Sequence, residues 1–401
     1  MSLKSDDPNH FAHKYNDCEK PVKRIRILDS TLREGEQHPG VAFTNKQRIQ
    51  IAWMLDSFGV DQIEISPVVS HDHFEATKTI IKQDLKADIL AHVRAIKQDV
   101  DIAINCGATW VATYLGISDI HLSAKLKISR EEAKIRALEV ADYIKSHGLK
   151  SRFTMEDASR TEPDFLIEMC KEMNSRKIER ISLPDTVGIL RPRGMYNLVK
   201  MISENLDFTK SCIDVHCHND LGLALANALA GCEAGADQIH TTIDGLGERT
   251  GIPSLAETSV ALTLIYNMPN DFRLHLLRDL SRTISEYTGM PSPESKPVVG
   301  DSAYKHKAGT HLAAILRNPS AYEILDPRTV GNRRKIVFGE LAGKNGAAYL
   351  LSLLGLDTSK AEAEAMAKGL KDLRLGDILE LYLDDRLERK ILNDANINIE
   401  Q

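Results

Sequence analysis

The most constraining feature of this 401-residue chain is a regular alternation between short apolar runs and longer segments with helical patterning. The apolar runs recur at intervals of about 25–35 residues, the length of one strand-plus-helix unit. Eight alternations favour a (β/α)8 TIM barrel over an open doubly wound sheet. No Gly-x-Gly-x-x-Gly follows any of the runs, which weakens the dinucleotide-binding alternative. The predicted strands are Arg26–Asp29, Gln62–Ser66, Asp88–His92, Trp110–Leu115, Ser151–Met155, Arg180–Leu183, Ile213–His216 and Gln238–Ile243.

Local signals mark the ends of the intervening helices. Capping-box patterns occur at Thr44–Gln47, Ser129–Glu132 and Thr161–Asp164, where a side-chain oxygen can accept hydrogen bonds from free backbone amides. Gly59 and Gly148 are placed to end two helices, because glycine adopts the left-handed conformation without strain.

The alternation stops after about residue 270, and a turn-rich connection, Pro291–Pro297, leads into helix-forming sequence. Ser359–Glu362 is a capping box before an alanine- and lysine-rich helix. We therefore predict a flexible N-terminal arm over residues 1–22, a TIM-barrel catalytic domain over residues 23–285 and a smaller, mostly helical C-terminal region over residues 286–401.

The composition argues against several classes of protein. A net charge of −6 gives no support for binding to nucleic acid or to a membrane surface. No apolar run approaches the length of a membrane span, and residues 1–21 lack the apolar segment of a signal peptide. The six cysteines are scattered without disulfide or Cys-x-x-Cys spacing, so we expect reduced thiols and a cytoplasmic protein.

Polar or ionisable residues occupy nearly every predicted strand end, which is where the active site of such a barrel lies. A scaffold without chemical function would carry mainly turn-forming residues there. For Glu64 and Asp244, structural pairing and function fit equally well. The set comprises Asp29, Arg33, Glu34, Glu64, Ser66, His92, Arg94, Tyr114, Glu156, Asp157, Asp185, Thr186, His216, His218 and Asp244.

Two histidines one residue apart, His216 and His218, end the seventh strand and point the same way. With a carboxylate from the acidic segment Asp29–Gln37 they can form a facial metal site with open positions. The structural alternative is a pair of hydrogen-bonded core histidines. Cys217 lies between them and is expected to pack in the barrel, and Gly245–Gly251 is either a turn or a backbone nest for an anion.

These segments resemble the acetyl-CoA-dependent, divalent-metal enzymes that catalyse Claisen condensations, a family that includes isopropylmalate, homocitrate and citramalate synthases. The resemblance runs from about Arg24 to Gly346. Its carriers are Asp29–Gln37, Pro184–Gly188, His216–Asp220, Gly245–Arg249 and His306–Gly309.

The resemblance implies Glu34, His216 and His218 as ligands of a divalent ion, with zinc, manganese and magnesium all open. Acetyl-CoA is then the co-substrate, and the ion polarises the ketone of a 2-oxo acid. The residues implied beside the substrate are Arg33, which steadies the 2-oxo acid, and Gln37, His92, Glu156 and Thr186.

His306 and Tyr322 match the catalytic His–Tyr pair of the family, which is usually delivered from the neighbouring subunit of a dimer. We therefore expect a homodimer in which this segment completes the partner's site. This pair and Glu156 are the candidates for the general base that removes a methyl proton from acetyl-CoA.

The choice among family members rests on a few segments. Several segments are similar to homocitrate synthases, which favours 2-oxoglutarate as substrate and a role in lysine or 2-aminoadipate-type biosynthesis. These are Glu34, Ser66–Ser70, Ala91–Arg94, His306–Gly309 and Asn318–Glu323. The segment Ser118–Lys127 is closer to isopropylmalate synthases and lacks an arginine that many homocitrate synthases use for the distal carboxylate.

A distal carboxylate needs a hydrogen-bond donor or a cation in the pocket. His92 is the candidate donor, and Arg94 and Lys125 are the candidate cations. The alternative substrates are 2-oxoisovalerate, pyruvate and oxaloacetate. Outside this class, a carbon–carbon lyase on the same barrel is disfavoured by the His306–Tyr322 region, because such lyases usually end near the barrel. A non-catalytic sensor would be expected to lose a ligand or Arg33, and neither is lost.

Overall fold

The structure is a computed structural model, and it describes residues 8–16, 24–307, 309–315, 317–338, 347–348, 351, 359–372 and 379–382. The chain divides into two compact units. One contains Asp17–Arg273 and Leu280–Pro291, and the other contains Met1–Asn16, Leu274–Asp279 and Ser292–Gln401. The three-part division by residue number stays a prediction.

The first unit is built on a closed barrel of eight parallel strands in the order β1 to β8, which confirms the predicted fold. The barrel closes where Arg26 to Asp29 of β1 pair with Gln238 to Thr241 of β8. The strands are β1 (Arg26–Asp29), β2 (Gln62–Ile65), β3 (Asp88–Arg94), β4 (Trp110–Gly116), β5 (Lys150–Glu156), β6 (Arg180–Asp185), β7 (Cys212–Cys217) and β8 (Gln238–Thr241).

Helices connect consecutive strands, as parallel pairing requires. They are α2 (Asn45–Phe58), α3 (His71–Ile81), α4 (Lys97–Asn105), α5 (Arg130–Ser146), α6 (Pro163–Ser175), α7 (Pro192–Ser203), α8 (Ala224–Glu233) and α9 (Leu255–Leu264), with α1 (His10–Tyr15) before the barrel and α10 (Leu277–Thr288) after it. In the part of the chain that the structure describes, no helix has the length and apolar character needed to cross a membrane.

The predicted helix ends follow the local capping chemistry. Thr44 and Ser129 form complete capping boxes at α2 and α5, and Gly59 ends α2 in the left-handed conformation at φ 104°. The prediction for α6 was wrong by one residue. Glu162 caps this helix, because its carboxylate accepts from two backbone amides while the Thr161 hydroxyl donates to a carbonyl instead.

Buried ion pairs lie among the side chains of the barrel strands. Arg152 of β5 contacts Glu64 of β2, and Arg180 of β6 donates to Asp214 of β7 with an Nε–Oδ1 distance of 2.6 Å. All four side chains are buried. A buried charge is tolerated only when it is paired, so each of these cations meets a carboxylate.

The described part of the second unit contains three strands besides its helices, and these strands were not predicted. Strand β10 (Lys335–Phe338) lies between β9 (Lys305–His306), to which it is parallel, and β11 (Leu379–Tyr382), to which it is antiparallel. The helices described in this unit include α11 (Gly309–Ile315) and α12 (Lys360–Lys371). Ser359 and Glu362 form the predicted capping box at the start of α12.

Candidate active site

A cleft of about 230 Å³ is lined by residues from the carboxyl ends of the barrel strands. It contains the barrel residues that the resemblance implied as metal ligands or substrate contacts, namely Arg33, Glu34, Gln37, His92, Glu156, Thr186, His216 and His218. Its other lining residues are Tyr114, Lys125, Arg152, Thr154, Ser182, Pro184, His240, Glu248 and Arg249.

The side chains of Glu34, His216 and His218 converge in this cleft. One potential ligand atom from each lies within 4.8 Å of the other two, and all three residues are buried. The Nε2 atoms of the two histidines are 3.4 Å apart, and His216 Nε2 is 3.9 Å from Glu34 Oε2. His218 Nδ1 is buried without a hydrogen-bond partner among the described residues.

This donor set fits a divalent cation. Burial lowers the pKa of His216 well below its ordinary range, and the charges of His218 and Arg33 act in the same direction. Burial also lowers the pKa of His218. Neutral imidazoles offer the lone pairs that a metal ion requires, and two imidazoles with one carboxylate suit a divalent transition metal.

The loop Gly245–Gly251 positions the carboxylate of Glu34. The backbone N–H of Glu248 donates to Glu34 Oε1 over 2.9 Å. The group that this loop binds is therefore the carboxylate of Glu34. A Cβ atom at Gly247 would lie 3.0 Å from the Glu34 side chain. At Gly251, where φ is +74°, a Cβ atom would lie 1.7 Å from the carbonyl oxygen of Gly245. The loop therefore requires glycine at position 251, and a side chain at position 247 would press against Glu34.

Arg33 is fixed by two carboxylates. Its Nε donates to Glu64 Oε2 over 2.8 Å, and its Nη1 donates to Glu34 Oε2 over 2.5 Å. Ser30 Oγ and Arg152 also donate to Glu64. Burial alone would raise the pKa of the Glu64 carboxyl, but the cations of Arg152 and Arg33 hold it well below its usual range. Glu64 is thus the ionised anchor of the Arg33 guanidinium.

A buried polar chain continues from the histidine pair into the barrel. His216 Nδ1 is 3.2 Å from His240 Nδ1, and His240 Nε2 is 3.2 Å from Asp214 Oδ2. His240, Asp214 and Arg152 were not predicted as site residues, because they lie inside strands and not at strand ends. The available signal was a charged or imidazole side chain in the interior of a predicted barrel strand.

His92 and Glu156 meet two further side chains in the cleft. The His92 ring stacks on Tyr114 with centroids 4.8 Å apart, and burial with the charge of Arg33 lowers the His92 pKa well below its ordinary range. Lys125 Nζ lies 2.7 and 2.8 Å from the two carboxylate oxygens of Glu156. The neutral imidazole and the ammonium group are both available to a polar ligand.

Of the two cations suggested for a distal carboxylate, only Lys125 lines this cleft. It belongs to a π-helical segment, His121–Leu126, that follows β4. Arg94 forms a bidentate ion pair with Asp99 at 2.7 and 2.9 Å, and its side chain is 62% exposed.

A second cleft shares Arg33, Gln37, His92 and Tyr114 with the first. Aliphatic residues form much of its wall, and a buried ion pair between Glu36 and Arg48 contributes charge to it. Its aliphatic residues are Leu32, Val41, Ala42, Val68, Val69 and Val93.

The remaining strand-end carboxylates hold loops. Asp185 accepts from the backbone amides of Ile189 and Leu190, and Asp244 accepts from Ser281 Oγ over 2.6 Å. For Asp244 the structural alternative therefore has a specific partner. Asp29, Asp157 and Ser66 likewise bond to nearby backbone or side-chain groups.

His306 and Tyr322 belong to the second unit, where their side chains interact with different residues. His306 Nε2 lies 2.9 Å from Glu323 Oε1, whereas Tyr322 stacks on His311 with ring centroids 4.1 Å apart. Tyr322 is half exposed. Their assignment as a catalytic pair stays a prediction.

Two family models match the chain. Residues 24–284 match the model described as HMGL-like, and residues 298–376 match the model described as homocitrate synthase post-HMGL domain-like. The first match covers the barrel, and the second confirms that the resemblance extends beyond it.

Curated relatives are similar along most of the chain. The homocitrate synthase AksA of Methanopyrus kandleri is 41% identical over 370 residues, which are 92% of each protein. A probable 2-isopropylmalate synthase of Ignicoccus hospitalis is 40% identical over 374 residues, again 92% of each. Among solved structures, the HMG-CoA lyase of Bacillus subtilis has a TM-score of 0.62 at 20% identity, covering 69% of this chain and 97% of the lyase. This last similarity supports the fold alone.

Proposed function

The chain belongs to the HMGL-like family, in the group of homocitrate and 2-isopropylmalate synthases, and we propose that it condenses acetyl-CoA with a 2-oxo acid. The observation that carries the proposal is the convergence of Glu34, His216 and His218 beside the fixed guanidinium of Arg33. These groups are suited to a substrate that offers neighbouring carboxylate and ketone oxygens.

A divalent ion held by Glu34, His216 and His218 would supply Lewis-acid polarisation of the ketone. Arg33 adds a fixed positive charge where negative charge develops on the ketone oxygen. Because Glu64 and Glu34 already orient this guanidinium, little reorganisation is needed when substrate binds. Zinc, manganese and magnesium remain the candidates for the ion.

The enolate of acetyl-CoA requires a base that removes a methyl proton. Glu156 lines the cleft, but both of its carboxylate oxygens contact the Lys125 ammonium. We therefore favour His306, with Tyr322, as the base, delivered by one protomer of a homodimer to the site of its partner. Glu156 then serves to orient substrate together with Lys125.

We favour 2-oxoglutarate as the 2-oxo acid, which would make the product homocitrate. Among the described residues, the cleft that contains Glu34, His216 and His218 is lined by no leucine, isoleucine, valine, methionine or phenylalanine. Lys125 and the neutral His92 can pair with a distal carboxylate, whose burial without partners would cost several kcal/mol. The second cleft supports the alternative, since its aliphatic wall beside His92 and Tyr114 suits the isopropyl group of 2-oxoisovalerate.

A panel of 2-oxo acids tests this proposal. Acetyl-CoA is supplied with 2-oxoglutarate, 2-oxoisovalerate, pyruvate or oxaloacetate, and release of the free CoA thiol is measured. We expect the largest kcat/KM with 2-oxoglutarate. A larger value with 2-oxoisovalerate would overturn the homocitrate assignment, and no release with any of the four would overturn the condensing activity itself.

The variant His92→Leu sharpens the same test. It removes the hydrogen-bond donor from the cleft while leaving an apolar side chain against Tyr114. We expect turnover of 2-oxoglutarate to fall much more than turnover of pyruvate. Equal losses for both substrates would mean that His92 does not recognise the distal group.

A further inference from the structure

The second unit contains a buried ion pair next to His306. Arg334 donates through Nε to Glu323 Oε1 over 2.7 Å and through Nη2 to Glu323 Oε2 over 2.6 Å. The side chains of Arg334 and Glu323 are only 1% and 4% exposed. A bidentate pair of this kind fixes the carboxylate in position and orientation.

The Glu323 carboxylate also contacts His306, and this contact determines which imidazole nitrogen carries the proton. Burial would raise the pKa of Glu323, but its bonds to His306 and Arg334 lower it below the ordinary value, so the group is ionised at neutral pH. An ionised carboxylate only accepts hydrogen bonds, so His306 Nε2, at 2.9 Å, must donate. In the neutral imidazole the lone pair is then on Nδ1, for which the described residues provide no hydrogen-bond partner.

Strand pairing places His306 next to the segment that carries Arg334. His306 of β9 pairs in parallel with Ile336 of β10, and Arg334 lies immediately before β10. Glu323 follows the turn Pro319–Ala321, next to the half-exposed Tyr322. These two adjacent side chains thus differ in burial: Glu323 is buried against His306, and Tyr322 remains accessible.

We propose that Glu323, clamped by Arg334, is a positioning residue that holds His306 in the Nε2–H tautomer and so makes Nδ1 its reactive nitrogen. The inference rests on the proposed function, in which His306 is the base. In the proton-transfer step a C–H bond of the acetyl methyl group breaks, and its electron pair forms the enolate. Nδ1 takes the proton, and the imidazolium charge is then offset by the Glu323 carboxylate.

The first test is spectroscopic and does not depend on turnover. Imidazole ¹⁵N shifts of the intact protein are assigned to His306 by comparison with His306→Gln. We expect a protonated Nε2 and an unprotonated Nδ1 in the neutral state, with this preference lost in Glu323→Gln. A neutral His306 protonated at Nδ1 would overturn the proposal.

The second test is kinetic. We expect Glu323→Gln to lower kcat by about 10- to 100-fold while the KM values for acetyl-CoA and the 2-oxo acid change little. The matched control is Asp326→Asn, which removes a carboxylate bound to Arg328 three residues along the same segment without touching His306. This control should keep the full kcat.

Glu323→Gln removes the carboxylate that forms a bidentate ion pair with the buried Arg334, and it can lose stability for that reason. The double variant Glu323→Gln/Arg334→Met removes both charges together and should show the same loss of kcat. A folded single or double variant with wild-type kcat would overturn this inference alone. A wild-type protein that releases no CoA with any 2-oxo acid would instead contradict the proposed function.

Discussion

At the scale of single residues, the site depends on carboxylates that are already engaged before substrate binds. Glu34 accepts from the Glu248 amide through Oε1 and from Arg33 through Oε2. Glu64 fixes Arg33 from its other side while it neutralises Arg152 inside the barrel. The geometry around the proposed metal ligands is therefore set by paired charges.

The variant Glu64→Gln tests this dependence. It leaves the guanidinium groups of Arg33 and Arg152 without their shared anion. Breaking a buried ion pair in this way destabilises a protein by about 3–5 kcal/mol. We expect a loss of that order in urea unfolding at pH 7, and a lower kcat in the fraction that is folded. An unchanged unfolding free energy would contradict the anchoring role of Glu64.

The pH dependence of the same comparison has a defined sign. The pKa of Glu64 is lowered in the folded state, so its contribution to stability is present above its ordinary value of 4.5. It is lost as the pH falls through the lower folded value. The difference in stability between the wild type and Glu64→Gln should therefore shrink below pH 4.5. A difference that grew on acidification would contradict the assigned direction.

Sequence alone could identify only part of the site at this scale. His216, His218 and Glu34 occur in compact motifs at strand ends, so their convergence was predictable. The Glu248 amide contact was not, because a backbone N–H carries no sequence signature. The pairing of His306 with Glu323 was also not predictable, since it depends on packing between segments 17 residues apart.

At the scale of structural elements, the loop Gly245–Gly251 is the part most sensitive to a single methyl group. Its glycines allow the chain to turn back on itself so that the Glu248 amide faces Glu34. Two glycines of this fold have nearly the same φ angle but differ in their surroundings. Gly251 has φ +74° and a blocked Cβ position, whereas Gly148 has φ +70° and open space around it.

This contrast provides a controlled experiment. Gly148→Ala should lose only about 1–2 kcal/mol of unfolding free energy, because alanine is strained in the left-handed conformation. It should keep full activity. Gly251→Ala carries the same strain and also a clash with the Gly245 carbonyl, which displaces the loop. We expect it to lower both the metal affinity and kcat, measured by metal titration and CoA release. Equal effects of the two substitutions would show that the loop does not position Glu34.

The sequence predicted regular elements better than irregular ones. All eight barrel strands were located, because short runs rich in apolar and β-branched residues recur at the spacing of a strand-plus-helix unit. The strands β9 to β11 were missed, since they lie beyond residue 270, where the regular strand-plus-helix spacing that located the barrel strands has stopped. At α6 the capping residue was misassigned, because a proline at the first helical position made Glu162 the better acceptor.

At the scale of the whole molecule, the proposed catalytic groups are divided between two units of the chain. Glu34, His216 and His218 belong to the barrel unit, and His306 and Tyr322 belong to the other. The proposed homodimer, in which each protomer completes its partner's site, accounts for a base that lies outside the barrel.

Mixing two inactive proteins tests this assembly. His306→Ala lacks the proposed base, and His218→Ala lacks a proposed metal ligand. In a hybrid dimer one of the two sites has both intact parts, so we expect mixing to restore partial CoA release. The control is a mixture of His216→Ala with His218→Ala, which should stay inactive because both changes damage the barrel part. A fully active protein that sediments as a monomer would contradict the proposed homodimer.

The central claim is that a divalent ion at Glu34, His216 and His218 is required for condensation of acetyl-CoA with a 2-oxo acid. The most direct measurement is CoA release by chelator-stripped protein during stepwise return of a divalent ion, with His218→Ala in parallel. We predict no release from the stripped protein, recovery that saturates at one ion per chain, and no recovery for the variant. Full activity in stripped protein, with metal absence verified by mass spectrometry, would contradict the account.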